Sequence, residues 1–175
     1  LPLSSASAPH MNLESIVQLL SANDGSLPDI NFSCSEEIAL IHAYEIIQRH
    51  ANTASENSSY WSLSKEIDLP ILYGNNYAQL FLSGETSGFH VLFMGLRSNS
   101  KKVIPDIGLS IYNNNEFSLD YRMGKDWNIS AVEGLFELIF ELERNVTCIF
   151  ISHTGNQFDP TGTMLLEAYQ FWKNR

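Results

Sequence analysis

Five histidines, two cysteines and a series of glutamates are the side chains in this 175-residue sequence whose types could support chemistry. The histidines stand at positions 10, 42, 50, 90 and 153. None lies in an HExxH pattern or at zinc-finger spacing from a cysteine, so no metal site is assigned. Cys34 and Cys148 form no CxxC pair and are too few for a disulfide scaffold. Cys148 sits in an apolar run, where a free thiol packs as a small hydrophobe. Paired with His153 it would give a nucleophile and a base, and this pair defines a small-hydrolase alternative. The stretch Gly84-Glu85-Thr86-Ser87-Gly88 places Thr86 where a nucleophile elbow needs serine, so it reads as a hairpin loop. No glycine-rich phosphate loop occurs, which leaves nucleotide cofactors without support. The expectation is a non-enzyme that binds no cofactor and no metal.

The carboxylates carry more information. Glu133, Glu137 and Glu141 recur every four residues, stacking three acids on one helical stripe, with Glu143 nearby. Like charges at this spacing repel, and only Arg144, three residues past Glu141, is placed to relieve them. A solvated face accounts for the early acids, which suit the positive helix N-terminus, but Glu141 and Glu143 stand at the wrong end for the dipole. A cationic partner accounts for all of them. Just upstream, EFSLDYRMGKDW puts Glu116 and Asp120 on the polar side of a strand and Asp126-Trp127 in the loop entering the helix. Trp127 reads equally as an interface anchor beside steering acids and as a packing contact on the following helix.

These residues need elements to hold them. Met11–Ser21 has apolar residues Leu13, Ile16, Val17 and Leu20 at helical spacing. Ser21–Ser33 carries loop signals at Asn23-Asp24-Gly25 and Leu27-Pro28. Ser33 and Glu36 have capping-box spacing ahead of a second helix with Leu40, Ala43, Tyr44 and Ile47 on one face. Four β-rich runs follow, Tyr77–Ser83, Phe89–Arg97, Ile107–Asn113 and Glu116–Arg122, with Asn113-Asn114-Asn115 as a tight turn. Ser130 and Glu133 repeat the capping-box spacing before a helix whose core face is Val132, Leu135, Phe136, Ile139 and Leu142. Val146–Ser152 reads as a buried strand, and Asp159 with Pro160 as the start of a final helix. The order α-α-β-β-β-β-α-β-α predicts an α+β domain, a largely antiparallel sheet of about five strands with helices packed on it.

Length predicts a single domain over 11–175. The uncharged leader LPLSSASAPH (1–10) lacks the basic start and apolar run of a signal peptide and reads as a cloning remnant ahead of a start at Met11. No apolar run approaches the roughly 20 residues of a membrane span. The expectation is a cytoplasmic protein. Ten Lys+Arg against 20 Asp+Glu give a net charge of −10, which argues against nucleic acid and anionic membranes as partners and for a basic protein.

With these residues in view, the chain resembles a bacterial immunity protein of the contact-dependent growth inhibition and polymorphic toxin systems. The likeness lies in a small acidic α+β domain without a catalytic motif, and in FSLDYRMGKDW followed by an acidic amphipathic helix, within Asp106–Glu143. It implies an inhibitor that binds one cognate toxin domain, often a nuclease, and blocks it. Glu116, Asp120, Asp126, Trp127, Glu133, Glu137 and Glu141 are the expected partner-binding residues. A non-catalytic regulatory adaptor is the alternative within the same binding class. Oligomeric state is not legible.

Overall fold

The computed structural model describes residues 12–175; the leader 1–10 lies outside them. The fold is organised by one antiparallel sheet whose strands alternate buried and accessible positions. In chain order its strands are β1 (Asp29–Cys34), β2 (Thr53–Ala54), β5 (Phe89–Met94), β8 (Ile107–Asn113), β9 (Glu116–Tyr121) and β10 (Cys148–His153). They lie in the order β10-β1-β9-β8-β5-β2. Register fixes which side chains share a face, because the side-chain period of a strand is two. Ile30 pairs with Leu119, Leu119 with Leu109, and Leu109 with Val91, so one buried row crosses four strands. The neighbouring rows carry Phe32, Phe117 and Ile111 on one side and Ile107, Tyr121 and Phe93 on the other, all buried.

The helices cover this apolar face: α1 (Leu13–Ser21), α2 (Ile38–His50), α3 (Tyr77–Leu82), α4 (Ile129–Asn145) and α5 (Thr163–Lys173). Their buried residues belong to the same core cluster as the sheet's apolar rows. On α4 the expected core face, Val132, Leu135, Phe136, Ile139 and Leu142, is fully buried, and each such side chain contributes about 1.5–3 kcal/mol. Two small hairpins lie outside the main sheet, β3 (Ser59–Ser62) with β4 (Ile67–Pro70) and β6 (Leu96–Arg97) with β7 (Val103–Ile104).

The α+β architecture is as expected, with the Asn113–Asn115 turn joining β8 to β9. Several local readings are corrected. Tyr77–Leu82 is a helix, begun by the Asn76 side chain accepting from the Ala78 N–H at 3.1 Å. Its apolar residues pack into a cluster in which Tyr44 meets Tyr77 and Phe89, a tertiary contact that overrides strand propensity. Part of the loop read over Ser21–Ser33 is the inner strand β1, so Ser33 is a strand residue and no cap of α2, which starts at Ile38. Asn128, two residues before Ser130, caps α4 by accepting from the Ala131 N–H at 2.8 Å. Helix α5 begins at Thr163 rather than at Pro160, after Gly162 in the left-handed region, yet the Asp159 carboxylate still accepts from the Met164 N–H at 3.0 Å. The strand expected as buried, β10, is an edge strand with Ile149 70% and Phe150 62% exposed.

Candidate functional site

Among the described residues, no helix covers the face of the sheet opposite the apolar rows. Alternation from the buried rows assigns to it Asp29, Asn31 and Ser33 of β1, Glu116, Ser118 and Asp120 of β9, Ser110 of β8 and His90 of β5. None of the six strands contains a lysine or an arginine. Among the described residues, the strands thus present three carboxylates on this face, and their one basic group there is an imidazole.

That imidazole is held by geometry. His90 Nε2 lies 2.7 Å from Asp120 Oδ2, across β8, at the level of Gly108. A Cβ on Gly108 would stand closer than 3.0 Å to His90 Nε2 and to both Asp120 carboxylate oxygens, so glycine is what lets the two side chains meet over the middle strand. The hydrogen bond to Asp120 raises the His90 pKa against the opposing effect of burial. Beside it, Asp29 is raised, first by burial and then by the repulsion of Asp120. Among the described residues no hydroxyl or thiol is hydrogen-bonded to His90 Nδ1.

Past this pair the face runs into a cleft of about 850 Å³ lined by His90, Lys102, Asp120, Arg122, Asp126 and the start of α4 at Asn128. The cleft mixes charges of both signs. Asp120 and Asp126 both border it, and Asp126 is exposed. Glu116 is exposed at the other end of β9, beside the Asn113 side-chain amide.

The helix glutamates are engaged within the chain. Lys102, from the β6–β7 hairpin, binds Glu133 at 2.5 Å and Glu137 at 3.2 Å. Those hydrogen bonds, Glu133 first, raise the lysine's pKa. Burial pushes the Glu137 carboxyl up, but hydrogen bonds from Ser98, Ser100 and Lys102 outweigh it and hold it low. Glu141 is bound by Arg49 and, at 2.6 Å, by His50, from the C-terminal end of α2. Glu143 accepts from Tyr169 and from Lys173 at 2.9 Å. The expectation that only Arg144 relieves the stripe is therefore corrected: its counter-charges come from residues distant in sequence, while Arg144 lies over the Phe140 ring.

Because α4 covers the apolar face, its acids and those of the open face are on opposite sides of the sheet, with the cleft between them at the β7–α4 end. Trp127 is 3% exposed. Its Nε1–H donates to the Arg122 carbonyl at 2.9 Å and its ring meets Tyr121 edge-on at 5.5 Å. Of the two readings of Trp127, packing is the one observed; it fixes the loop that displays Asp126. Cys148 and His153 sit at opposite ends of β10. His153 is buried against the Tyr121 hydroxyl at 2.8 Å, and burial lowers its pKa. Burial raises the Cys148 thiol's pKa. The strand does not assemble them as a nucleophile–base pair. Among the described residues no group of three His, Cys, Asp or Glu is arranged to hold a metal, and no helix is long and apolar enough to cross a membrane.

The residues missed in the sequence are His90, Asp29 and Lys102. Gly108 inside an otherwise apolar strand was the available signal for the first, since such a glycine marks a close approach.

Fold and surface together define an acidic α+β protein with one sheet face left open. No protein-family model and no curated protein matches the chain. In fold it is similar to a chain from the crystal structure of the toxic C-terminal tip of CdiA from Pseudomonas aeruginosa in complex with immune protein. That likeness has a TM-score of 0.51 at 11% identity and covers 75% of this chain and 86% of the other. At that identity it is a likeness of fold.

Proposed function

We propose that this protein is an immunity protein of a contact-dependent growth inhibition system, a cytoplasmic inhibitor that binds and neutralises one basic toxin domain, such as a nuclease. The observation that carries the reading is the fold likeness to a chain from a complex of a toxic CdiA tip and its immune protein. A net charge of −10, with no lysine or arginine in the strands of the open sheet, supports the inhibitor role. A basic nuclease surface seeks phosphates, and an acidic face competes for it while speeding encounter. In this reading Glu116, Asp120 and Asp126 meet the toxin directly. Glu133, Glu137 and Glu141, each already shared with a cation of this chain, add to the field from behind, and Trp127 supports the Asp126 loop from beneath. No catalytic step is assigned to the chain.

The test is co-production with the C-terminal domain of the protein encoded immediately upstream. The expected result is growth rescue and a stable complex. Glu116→Lys with Asp126→Lys, both exposed positions, should slow association about tenfold at low salt and flatten its salt dependence. An unaltered association rate in the folded double variant refutes the assignment of this face. Absence of any complex with that domain refutes the immunity reading.

A further inference from the structure

The two edges of the main sheet are treated differently. At one side β2 is two residues long, a length that offers little to a passing strand. At the other, β10 runs for six residues, CIFISH, with β1 on its inner side and, among the described residues, no strand on its outer side. Natural edge strands are blunted by lysine, proline or an inward charge. This one has no lysine, arginine or proline; a single bulge at Ile149 interrupts its pairing with β1, and Ile149 and Phe150 are exposed. Gly162 lies against the His153 carbonyl and covers that end, but up to Ile151 the edge offers backbone donors and acceptors beside apolar side chains, which is what strand addition requires.

Charge selects the occupant. Phe150 pairs with Ser33, and Ser33 with Glu116, so the exposed ring and the exposed carboxylate share one row of the open face, two strands or about 9–10 Å apart. Asp29 and Asp120 are paired further along the same face. A second copy of this chain would bring its own net charge of −10 and the same carboxylates to the edge. A strand from a cationic partner would bring the complement.

We propose that a β-strand of the basic toxin domain adds to the outer edge of β10, pairing through its backbone with Cys148–Ile151 and turning Lys or Arg side chains toward the acidic open face, where Asp29 of β1 is the nearer carboxylate. This deepens the immunity reading and rests on it. Affinity would come from the ladder and from burial of Ile149 and Phe150, and selectivity from the acids on the adjoining strands.

The experiment uses the whole chain and the upstream-encoded C-terminal domain as probe. Amide hydrogen exchange over 148–153 is measured with and without the probe. Binding is measured for Ile149→Lys and Phe150→Lys, with Leu72→Lys as a control at an exposed site away from the sheet edge. The expected result is slowed exchange in β10 on binding and a Kd raised at least tenfold by each β10 variant but not by the control. Binding that leaves β10 exchange unchanged, with wild-type affinity in both variants, overturns the edge proposal and leaves the immunity reading standing. No binding by the wild-type chain overturns both. A wild-type chain that is dimeric alone, and monomeric as Phe150→Lys, assigns the edge to a second copy and also overturns the proposal.

Discussion

Gly108→Ala isolates the contact on which the open face turns. The added Cβ would lie closer than 3.0 Å to His90 Nε2 and to both Asp120 oxygens, so the bridge must open. Both partners end in flexible, partly accessible side chains, 43% and 15% exposed, and water can replace what each loses. A surface pair of this kind contributes about 0.2–1 kcal/mol. Alanine in a strand interior recovers roughly 0.5–1 kcal/mol that glycine costs. The two effects offset, and the net stability change is expected to lie within about 0.5 kcal/mol of zero. The protonation of His90 should nevertheless change clearly. Its pKa is raised chiefly by the Asp120 hydrogen bond, so in the variant it should fall, the lowering effect of burial being left without that opposition. The sign in the parent protein follows. A raised folded-state pKa stabilises the fold below the unfolded value and loses that stabilisation as pH rises through the folded value. An NMR titration of the His90 imidazole in both proteins, with urea unfolding at pH 6 and pH 8, checks each part. An unchanged His90 midpoint in Gly108→Ala, or a stability loss above about 2 kcal/mol, refutes this account of the glycine.

Lys102→Met removes the shared partner of Glu133 and Glu137 and leaves two like charges one turn apart, so a loss of about 1 kcal/mol is expected, shrinking in high salt; urea midpoints at two ionic strengths measure it. Trp127→Ala empties a buried site and should cost about 3–5 kcal/mol, against well under 1 kcal/mol were the ring an exposed anchor. His153 is buried with a lowered pKa, so the unfolded chain takes up its proton first. Stability should therefore fall as pH drops below about 6.5, and His153→Gln should remove that component of the slope; an identical pH slope in the variant refutes it.

The sheet–helix architecture was legible because its signals are local. The alternation of Glu116–Tyr121 reports a half-buried strand directly, and the spacing from Val132 to Leu142 reports a helix with one core face. What was illegible depended on distance. Residues Asp29–Cys34 alternate polar and apolar, but the loop signals just before them masked a strand whose neighbours come from the far end of the chain. Tyr77–Leu82 has strand composition and becomes helical through its aromatic contacts. The apolar run Val146–Ser152 looked buried because apolar content does not tell an inner strand from an outer one. Of the expected site residues, Glu116, Asp120 and Asp126 lie where the polar pattern put them. The engagement of Glu133, Glu137 and Glu141 by Lys102, Arg49 and His50 arises from residues dozens of positions away, which no spacing rule within one helix reveals.

The strand order also sets a timetable. β1 has no hydrogen-bonded partner near it in sequence; it waits for β9, some ninety residues later, and is enclosed only when β10 arrives. During synthesis the meander from β5 to β9 can pair as it emerges, since each strand meets its neighbour across a short connection. β1 must stay unpaired until β9 has been made, and it keeps one bare edge until β10 follows. A chain stopped before Cys148 would leave β1 as the sheet's rim. The interval between starting this sheet and closing it is thus written into which strands sit side by side.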